Sequence, residues 1–317
     1  MSIAATSHAA DAQVPPRRTV LVDSSIYVFR AWCTLPATLV DGEGEPCNAV
    51  LGFSDFVFRL LTQLQPERIV FAFDDSLLSN HRRDLYPDYK ANRPPAPESL
   101  KRQFRLCRAF VRALGIAEFA SRHFEADDVI GTLALRERRA GRGVLLVTGD
   151  KDLTQLVGPG DLWWEPQRDR MLDAKGVERT LGVRPDQVAD QLALAGDRAD
   201  NIPGVPGIGM ATAARLLRRF DTLDRLLSDL PALGQAKLRG AKRLMALIEE
   251  HRDTVLLARR LTGIHCDADV PADLPTLPTG IDDAALLESM AQLNFSPERR
   301  QRWEHAVLNG GCTTGRA

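Results

Sequence analysis

The sequence predicts an α/β protein with a mostly parallel central sheet and flanking helices, followed by an all-helical domain. Three observations lead there. Short β-prone apolar runs at Thr19–Val22, Arg68–Phe73 and Gly143–Val147 each deliver an aspartate at or just beyond their end: Asp23, Asp74 and, through Thr148 and Gly149, Asp150. Helical patterns, including Val50–Leu64 and Leu100–Leu114, lie between these runs. Strand and helix in alternation give a parallel sheet, and continuous apolar strands are what a sheet covered on both faces requires. From about Gly182 strand patterns stop and helical ones take over.

In chain order, the first 17 residues lack a charged lead followed by a continuous apolar stretch, so they read as a disordered tail and not as a secretory signal. The α/β domain is expected over 18–185 and the helical domain over 186–265. In the latter, helices are expected at Gln187–Leu194, Ala211–Phe220, Asp221–Leu227 and Lys237–Arg260, with the loop Asn201–Gly209 between the first two. Residues 266–317 are expected to be a Pro-rich linker and a last helix near Asp282–Leu293.

Composition narrows the class. A chain of 317 residues buries a sizeable core without staples. With 41 Lys+Arg against 42 Asp+Glu, any affinity for a polyanion has to come from a local patch. No apolar run approaches the roughly 18 residues of a bilayer span. The five cysteines are scattered and never spaced CxxC, which suits free thiols in a reducing compartment, so a cytoplasmic protein is expected.

The chemistry-bearing residues are acidic. Glu125-Ala-Asp127-Asp128 opens an apolar-periodic helix, Thr148-Gly-Asp150-Lys-Asp152 leaves a strand end, and Gly196-Asp197-Arg-Ala-Asp200 has two acids three apart. Any one of these could be a turn or a helix cap. In an open α/β sheet, however, ligands sit beyond the carboxyl ends of the strands. If the segments converge, Asp23, Asp74, Glu125, Asp127, Asp128, Asp150, Asp152, Asp197 and Asp200 share one cleft, and that much negative charge needs bound cations. Oxygen ligands without clustered His or Cys select Mg²⁺ or Mn²⁺, and two such ions suit phosphodiester hydrolysis.

Two features suit a nucleic-acid substrate. His81–Arg108 carries eight Lys/Arg against three acids, with Tyr86 and Tyr89 interleaved, as in single-strand binding by phosphate contacts and base stacking. A solvated basic helix face with structural tyrosines is the plain alternative. The loop Gly204-Val-Pro-Gly207-Ile-Gly209 precedes a helix without a strand before it or a Lys-Ser/Thr after it, so neither nucleotide-binding fingerprint is met. It reads as a hairpin gripping a duplex backbone, or else as a plain connection between helices.

Taken together, VLVDSSIYVFRAW, FAFDD, DYKANRPPAP, EADDVIGTLA, VTGDKDLTQLV and GDRADNIPGVPGIG resemble, in order, the motifs of the bacterial 5′-to-3′ exonuclease and flap endonuclease family, found as the N-terminal domain of DNA polymerase I. The resemblance covers about residues 18 to 265. It implies a PIN-like nuclease core with a helical arch over about 80–110 and a helix-three-turn-helix DNA-binding domain. It implies one metal site around Asp23, Asp74, Glu125, Asp127 and Asp128 and a second around Asp150, Asp152, Asp197 and Asp200. Arg82, Lys90 and Arg93 would steer and stabilise the scissile phosphate. Tyr89 would stack on a base, and Gly204, Gly207 and Gly209 would contact the duplex where K⁺ often sits in relatives. Ser24 replaces a common Gly and His81 an aromatic apolar residue, and neither change removes a ligand.

With no polymerase domain after it, the chain is expected to be a free-standing, monomeric member, any coupling to a DNA polymerase being through a separate chain. The activity implied is Mg²⁺-dependent hydrolysis at 5′ flaps, nicks or single-stranded 5′ ends of DNA. The alternatives are a catalytically weak DNA-junction binding protein and an RNA-cutting nuclease on a related core.

Overall fold

The computed structural model describes residues 18–74, 81–271, 274–277 and 283–308, so the expected disordered tail lies outside the described residues. The chain runs β1 (Arg18–Asp23), α1 (Ser24–Thr34), α2 (Asn48–Leu64), β2 (Arg68–Asp74), α3 (His81–Leu85), α4 (Glu98–Ala113), β3 (Ala117–Ser121), α5 (Ala126–Arg139), β4 (Gly143–Val147), β5 (Leu162–Glu165), β6 (Arg170–Leu172) and α6 (Ala174–Leu181). Helices follow: α7 (Val188–Ala195), α8 (Met210–Phe220), α9 (Leu223–Ser228), α10 (Leu230–Gly234), α11 (Ala241–Glu250), α12 (Arg252–Thr262), α13 (Asp283–Gln292) and α14 (Pro297–Leu308).

The strands form one sheet in the order β3-β2-β1-β4-β5-β6. Pairing is parallel from β3 through β5, and β6 runs antiparallel to β5. β1 is central, with Val22 level with Phe71 on one side and Val147 on the other. The chain leaves β1 toward β2 on one side and returns later to β4 on the other. This reversal opens a crevice beyond the carboxyl end of β1, where Asp23 stands.

Alternate strand residues feed two cores, as the two-residue period of a strand requires. Val20, Val22, Phe71 and Phe73 pack with α1, α2 and α4, and also with Leu286, Met290 and Trp303 of the C-terminal helices and Phe295 between them. Leu21, Val70 and Leu146 pack with Val129, Ile130 and Leu133 of α5, and the same core continues into Leu192, Leu216, Val255 and Leu261 of the helical region. One continuous apolar interior thus joins the sheet to the helices that carry the glycine hairpin.

Several elements differ from expectation. Lys237–Arg260 is two helices, broken at His251. The C-terminal part has a second helix, α14, and folds back on the sheet: Leu277 N–H donates to the Glu67 carbonyl at 2.9 Å. Among described residues the expected arch is a five-residue helix, α3, followed by turns, and α4 buries Leu100, Gln103, Cys107 and Phe110 in the core. Much of the basic charge of this region is spent internally. Arg102 pairs with Asp41, Arg108 and Arg112 pair with Glu118, and Lys101 pairs with Glu98.

Candidate active site

Carboxylates gather at the crevice because three parallel strands end there. Asp23 closes β1 and accepts from the Thr148 hydroxyl at 2.8 Å. Asp74 closes β2, its N–H donating to Ser25 Oγ at 3.1 Å while its carboxylate accepts the Ala126 N–H at 2.9 Å. Asp150 follows β4, its N–H donating to Thr148 Oγ at 2.9 Å and its carboxylate accepting the Asp152 N–H at 2.8 Å. Thr148 therefore orients the Asp23 carboxylate and the Ala126 N–H that of Asp74, while Ser25 pins the Asp74 backbone. Sequence reading passed over Thr148 and Ser25, although a hydroxyl residue at a strand end beside an acid is the signal to look for.

The acids lie near enough for each to act on its neighbours' charge. Burial, then the charges of Asp74 and Asp150, raise the Asp23 carboxyl well above the usual range. Burial, then Asp150 and Asp23, do the same to Asp127. Asp152 is pushed up by burial, then by Asp150 and Asp197, and its Oδ1 is buried without a hydrogen-bond partner. Asp150 is also raised, chiefly by burial, with Asp200 and Asp197 adding to it. Oxygen donors held out of water against mutual repulsion, one of them orphaned, fit a hard divalent cation in chemistry. They do not stand ready as a closed cage. Among the described residues no three His, Cys, Asp or Glu side chains are gathered to hold an ion.

Part of the reason is that some of the nine acids have other partners. Asp128, fully buried, takes both guanidinium nitrogens of Arg82 at 2.7 Å and also accepts from the His265 and Glu125 N–H groups. With Glu125 it completes a capping box on α5. In this ion-free arrangement both Asp128 oxygens are thus engaged by Arg82 and backbone N–H groups, whereas Asp127 is left facing other acids. Glu125 is buried, which raises its carboxyl, but Lys90 at 2.8 Å and Arg82 at 3.5 Å outweigh that and hold it below the usual range. Asp200 is paired with Arg93 and lies 3.6 Å from Lys90.

The basic residues divide. Arg82 is 3% exposed and, besides Asp128, donates to the carbonyls of Leu261 at 2.9 Å and Gly263 at 3.0 Å. It joins α3, α5 and the end of α12, enclosed beneath the crevice and not at its rim. Lys90 bridges Glu125 and Asp200 from a left-handed backbone position, φ 53°. Its N–H donates to the Asp200 carbonyl at 2.9 Å, and Asn92 and Asn201 bond across to Arg198 and Asp88, so this strap is stitched to the 198–201 loop. Arg93, 43% exposed, stands at the rim.

The tyrosines turn inward in this structure. Tyr89 is 2% exposed and its hydroxyl donates to Glu125 at 3.0 Å, so its ring offers no face to a base. Tyr86 is half-buried against the same core. At the hairpin, a Cβ on Gly204 would meet the Ala195 carbonyl carbon and the Gly196 nitrogen at 2.3 Å, so only glycine lets this turn press on the end of α7. Gly207 has φ 82°, and Gly209 caps α8 at the edge of a groove that also includes Asp197 and Arg198. The hairpin thereby ties Asp197, through its bridge to Ile202, to the edge of this groove.

Residues 18–182 match the family model described as 5′-3′ exonuclease, N-terminal resolvase-like domain, and residues 183–285 match 5′-3′ exonuclease, C-terminal SAM fold. The chain belongs to the 5′-3′ exonuclease family. A 5′-3′ exonuclease of Aquifex aeolicus is 35% identical over 209 residues, 66% of this chain and 72% of that protein. DNA polymerase I of Pseudomonas aeruginosa is 39% identical over 278 residues, 87% of this chain but 30% of that protein, so this exonuclease-family chain spans under a third of that relative's length. Two solved structures share the fold. T5 5′-exonuclease with bound divalent metal ions (zinc) has a TM-score of 0.62 at 18% identity, covering 93% of this chain and 100% of that one. The catalytic core of Rad2 in complex with DNA substrate has 0.62 at 16% identity, covering 92% and 91%. Among the described residues, no helix is long and apolar enough to cross a membrane.

Proposed function

We propose that this member of the 5′-3′ exonuclease family is a cytoplasmic, magnesium-dependent enzyme that cuts DNA phosphodiester bonds at 5′ flaps, nicks and single-stranded 5′ ends. The observation that supports this most is the group Asp23, Asp127, Asp150 and Asp152, one buried and three half-buried, whose mutual repulsion and burial outweigh the nearby Lys90 and Lys151 and raise all four carboxyls. Asp23, Asp74, Glu125 and Asp127 would hold one ion, and Asp150, Asp152, Asp197 and Asp200 a second. Bound Mg²⁺, or Mn²⁺ in its place, supplies water activation and charge neutralisation at the leaving oxygen.

The chain's own residues do the rest. Lys90, fixed between Glu125 and Asp200, lies where a phosphate entering the carboxylate crevice gains negative charge, and offsets it. Arg93 at the rim draws the phosphate in, while the Thr148 hydroxyl and the Ala126 N–H keep the Asp23 and Asp74 carboxylates aimed at the crevice. The hairpin at Gly204–Gly209 grips the duplex backbone, with a potassium ion there as part of the same proposal. Contacts of this kind read junction shape and not base sequence. The protein would act as a monomer beside a separate DNA polymerase.

The test is a 5′-labelled flap oligonucleotide incubated with and without Mg²⁺ and resolved by product length. Cleavage near the branch that needs the ion supports the reading. Tight binding with no product in Mg²⁺ or Mn²⁺ would instead favour a junction-binding protein, and cleavage confined to RNA would favour an RNA-cutting nuclease.

A further inference from the structure

Asp150 and Asp152 sit two apart on the turn that follows β4, and burial together with neighbouring acids raises both carboxyls. Like charges on a free turn would swing apart. This turn is held by its backbone instead. Each of its three carbonyls accepts from a side chain: that of Asp150 from the Trp163 indole N–H at 2.9 Å, that of Lys151 from the Thr154 hydroxyl, and that of Asp152 from the Gln155 amide at 3.0 Å.

The three bonds are not alike. Thr154 and Gln155 belong to the next turn of the same segment, so their bonds close short loops, although the Gln155 amide also reaches the Thr262 carbonyl at 3.1 Å. Trp163 comes from β5, where it stands level with Leu146 of β4, and the carbonyl of the next residue, Trp164, accepts the Thr148 N–H at 3.0 Å. Of the three, Trp163 alone fastens the turn to the sheet. Trp163 is 2% exposed and the Arg170 guanidinium lies over its ring at 5.6 Å, so the indole has little room to turn. A phenyl ring would serve an apolar core as well. What tryptophan adds is a donor, and here the donor meets the backbone of an acid in the crevice.

We propose that Trp163 is a positioning residue for the second ion. By holding the Asp150 carbonyl it fixes the rotation of that peptide, and so keeps the Asp150 carboxylate, together with the Asp152 N–H that this carboxylate accepts, at one place in the crevice. The inference rests on the ion-binding reading above and adds to it the group that sets one half of the site in advance. A bond of this kind keeps repelling carboxylates together in the free protein and spares the ion the rearrangement it would otherwise have to drive. Its loss therefore shows in ion affinity more than in stability.

The experiment is calorimetric titration of Mn²⁺ into the protein without DNA, beside thermal melts in chelator. Trp163→Phe should weaken the binding of one of the two Mn²⁺ ions about tenfold. Trp164→Phe, one residue along β5 with its side chain in the other core, removes the same piece of ring and should melt lower by a similar few degrees, with Mn²⁺ binding unchanged. Benzothienylalanine at position 163 keeps the shape of the indole and puts sulfur where the N–H was. It should weaken Mn²⁺ as Trp163→Phe does while melting with the parent, so the result does not depend on a cavity. In cleavage, both changes at Trp163 should raise the Mg²⁺ concentration for half-maximal rate about tenfold and leave the rate at saturating Mg²⁺ near the parent's. Mn²⁺ affinity kept by the sulfur isostere, or lost equally by Trp164→Phe, would overturn the positioning role and leave the nuclease reading standing. A parent protein that takes up no Mn²⁺ and cuts no flap would overturn both.

Discussion

Arg82 and Asp128 form a two-point ion pair, both N–O distances 2.7 Å, with 3% and 0% of the two side chains exposed. Each partner is saturated elsewhere too, Arg82 by carbonyls at the end of α12 and Asp128 by backbone N–H groups of His265 and Glu125. The pair is a cross-brace joining three elements beneath the crevice.

Breaking it should cost stability before anything else. Arg82→Ala leaves the Asp128 charge buried and alone, so unfolding in urea should show a loss of about 3–5 kcal/mol. Asp128→Asn should be destabilised in the same direction and still respond to Mg²⁺. An Asp128→Asn protein of unchanged stability but abolished ion response would return that residue to the metal-binding set.

Lys90 should behave in the opposite way. It is held by Glu125 and Asp200, but Glu125 keeps Arg82 and Tyr89 as partners when Lys90 is gone. Lys90→Ala should therefore retain its melting temperature within a few degrees and lose about 10²–10³-fold in single-turnover cleavage, with duplex binding less affected. A loss confined to binding would contradict a role at the phosphate undergoing attack.

Much of this was legible in the sequence, and the boundary of legibility has a physical cause. β1, β2 and β4 announce themselves because they are buried on both faces and carry continuous apolar runs, Val20–Val22, Ile69–Phe73 and Val144–Val147. β3, Ala117-Glu-Phe-Ala-Ser121, sits at the sheet edge with every residue only partly buried, and β5 and β6 are four and three residues long, so none carries a comparable run. The break at His251 has neither Gly nor Pro to mark it. Arg82 and Lys90 look alike in a basic segment, and only burial separates a brace from a group facing the crevice. Asp128 likewise looks like its neighbour Asp127, because which of two adjacent acids caps and which faces the cleft depends on where α5 points.

Away from the site, Glu137 provides a pH-dependent contribution. Burial raises its carboxyl, but two bonds from Arg142 at 2.6 and 2.8 Å and one from the Thr19 hydroxyl outweigh that and hold it below the usual range. A carboxyl with a depressed folded-state pKa stabilises the fold above its unfolded value of about 4.3, and that contribution is lost as pH falls through the folded value. Glu137→Gln should thus be about 1–3 kcal/mol less stable than the parent at pH 7. The two stabilities should converge toward pH 3, and parallel curves throughout would show that the charge is not involved.

Gly204 tests the hairpin. The atoms its Cβ would strike are backbone atoms of Ala195 and Gly196, which cannot swing aside as a side chain could. Gly204→Ala should cost about 1–3 kcal/mol through forced backbone shifts and loosen the Asp197–Ile202 bridge that carries Asp197. Duplex affinity should fall with it, whereas Gly209→Ala, with no atom within 4 Å of its Cβ and φ −99°, should leave stability unchanged. Equal destabilisation by the two changes would mean that close approach is not what Gly204 provides.

The carboxylates themselves should show the opposition between stability and function that a cation site implies. Asp152 is half-buried beside Asp150, Asp197 and Asp200, with its Oδ1 buried and unpartnered, so in ion-free buffer its charge is a liability. Asp152→Asn should melt higher than the parent when divalent ions are removed with chelator. Adding Mg²⁺ should raise the parent's stability by about 2.7 kcal/mol at a concentration one hundred times the dissociation constant, since an ion bound only by the folded state stabilises it by mass action. The variant should lose most of that increment along with cleavage. If Asp152→Asn instead melts lower than the parent in chelator, the carboxylate is held by contacts within the protein, and the crevice was not built around a cation.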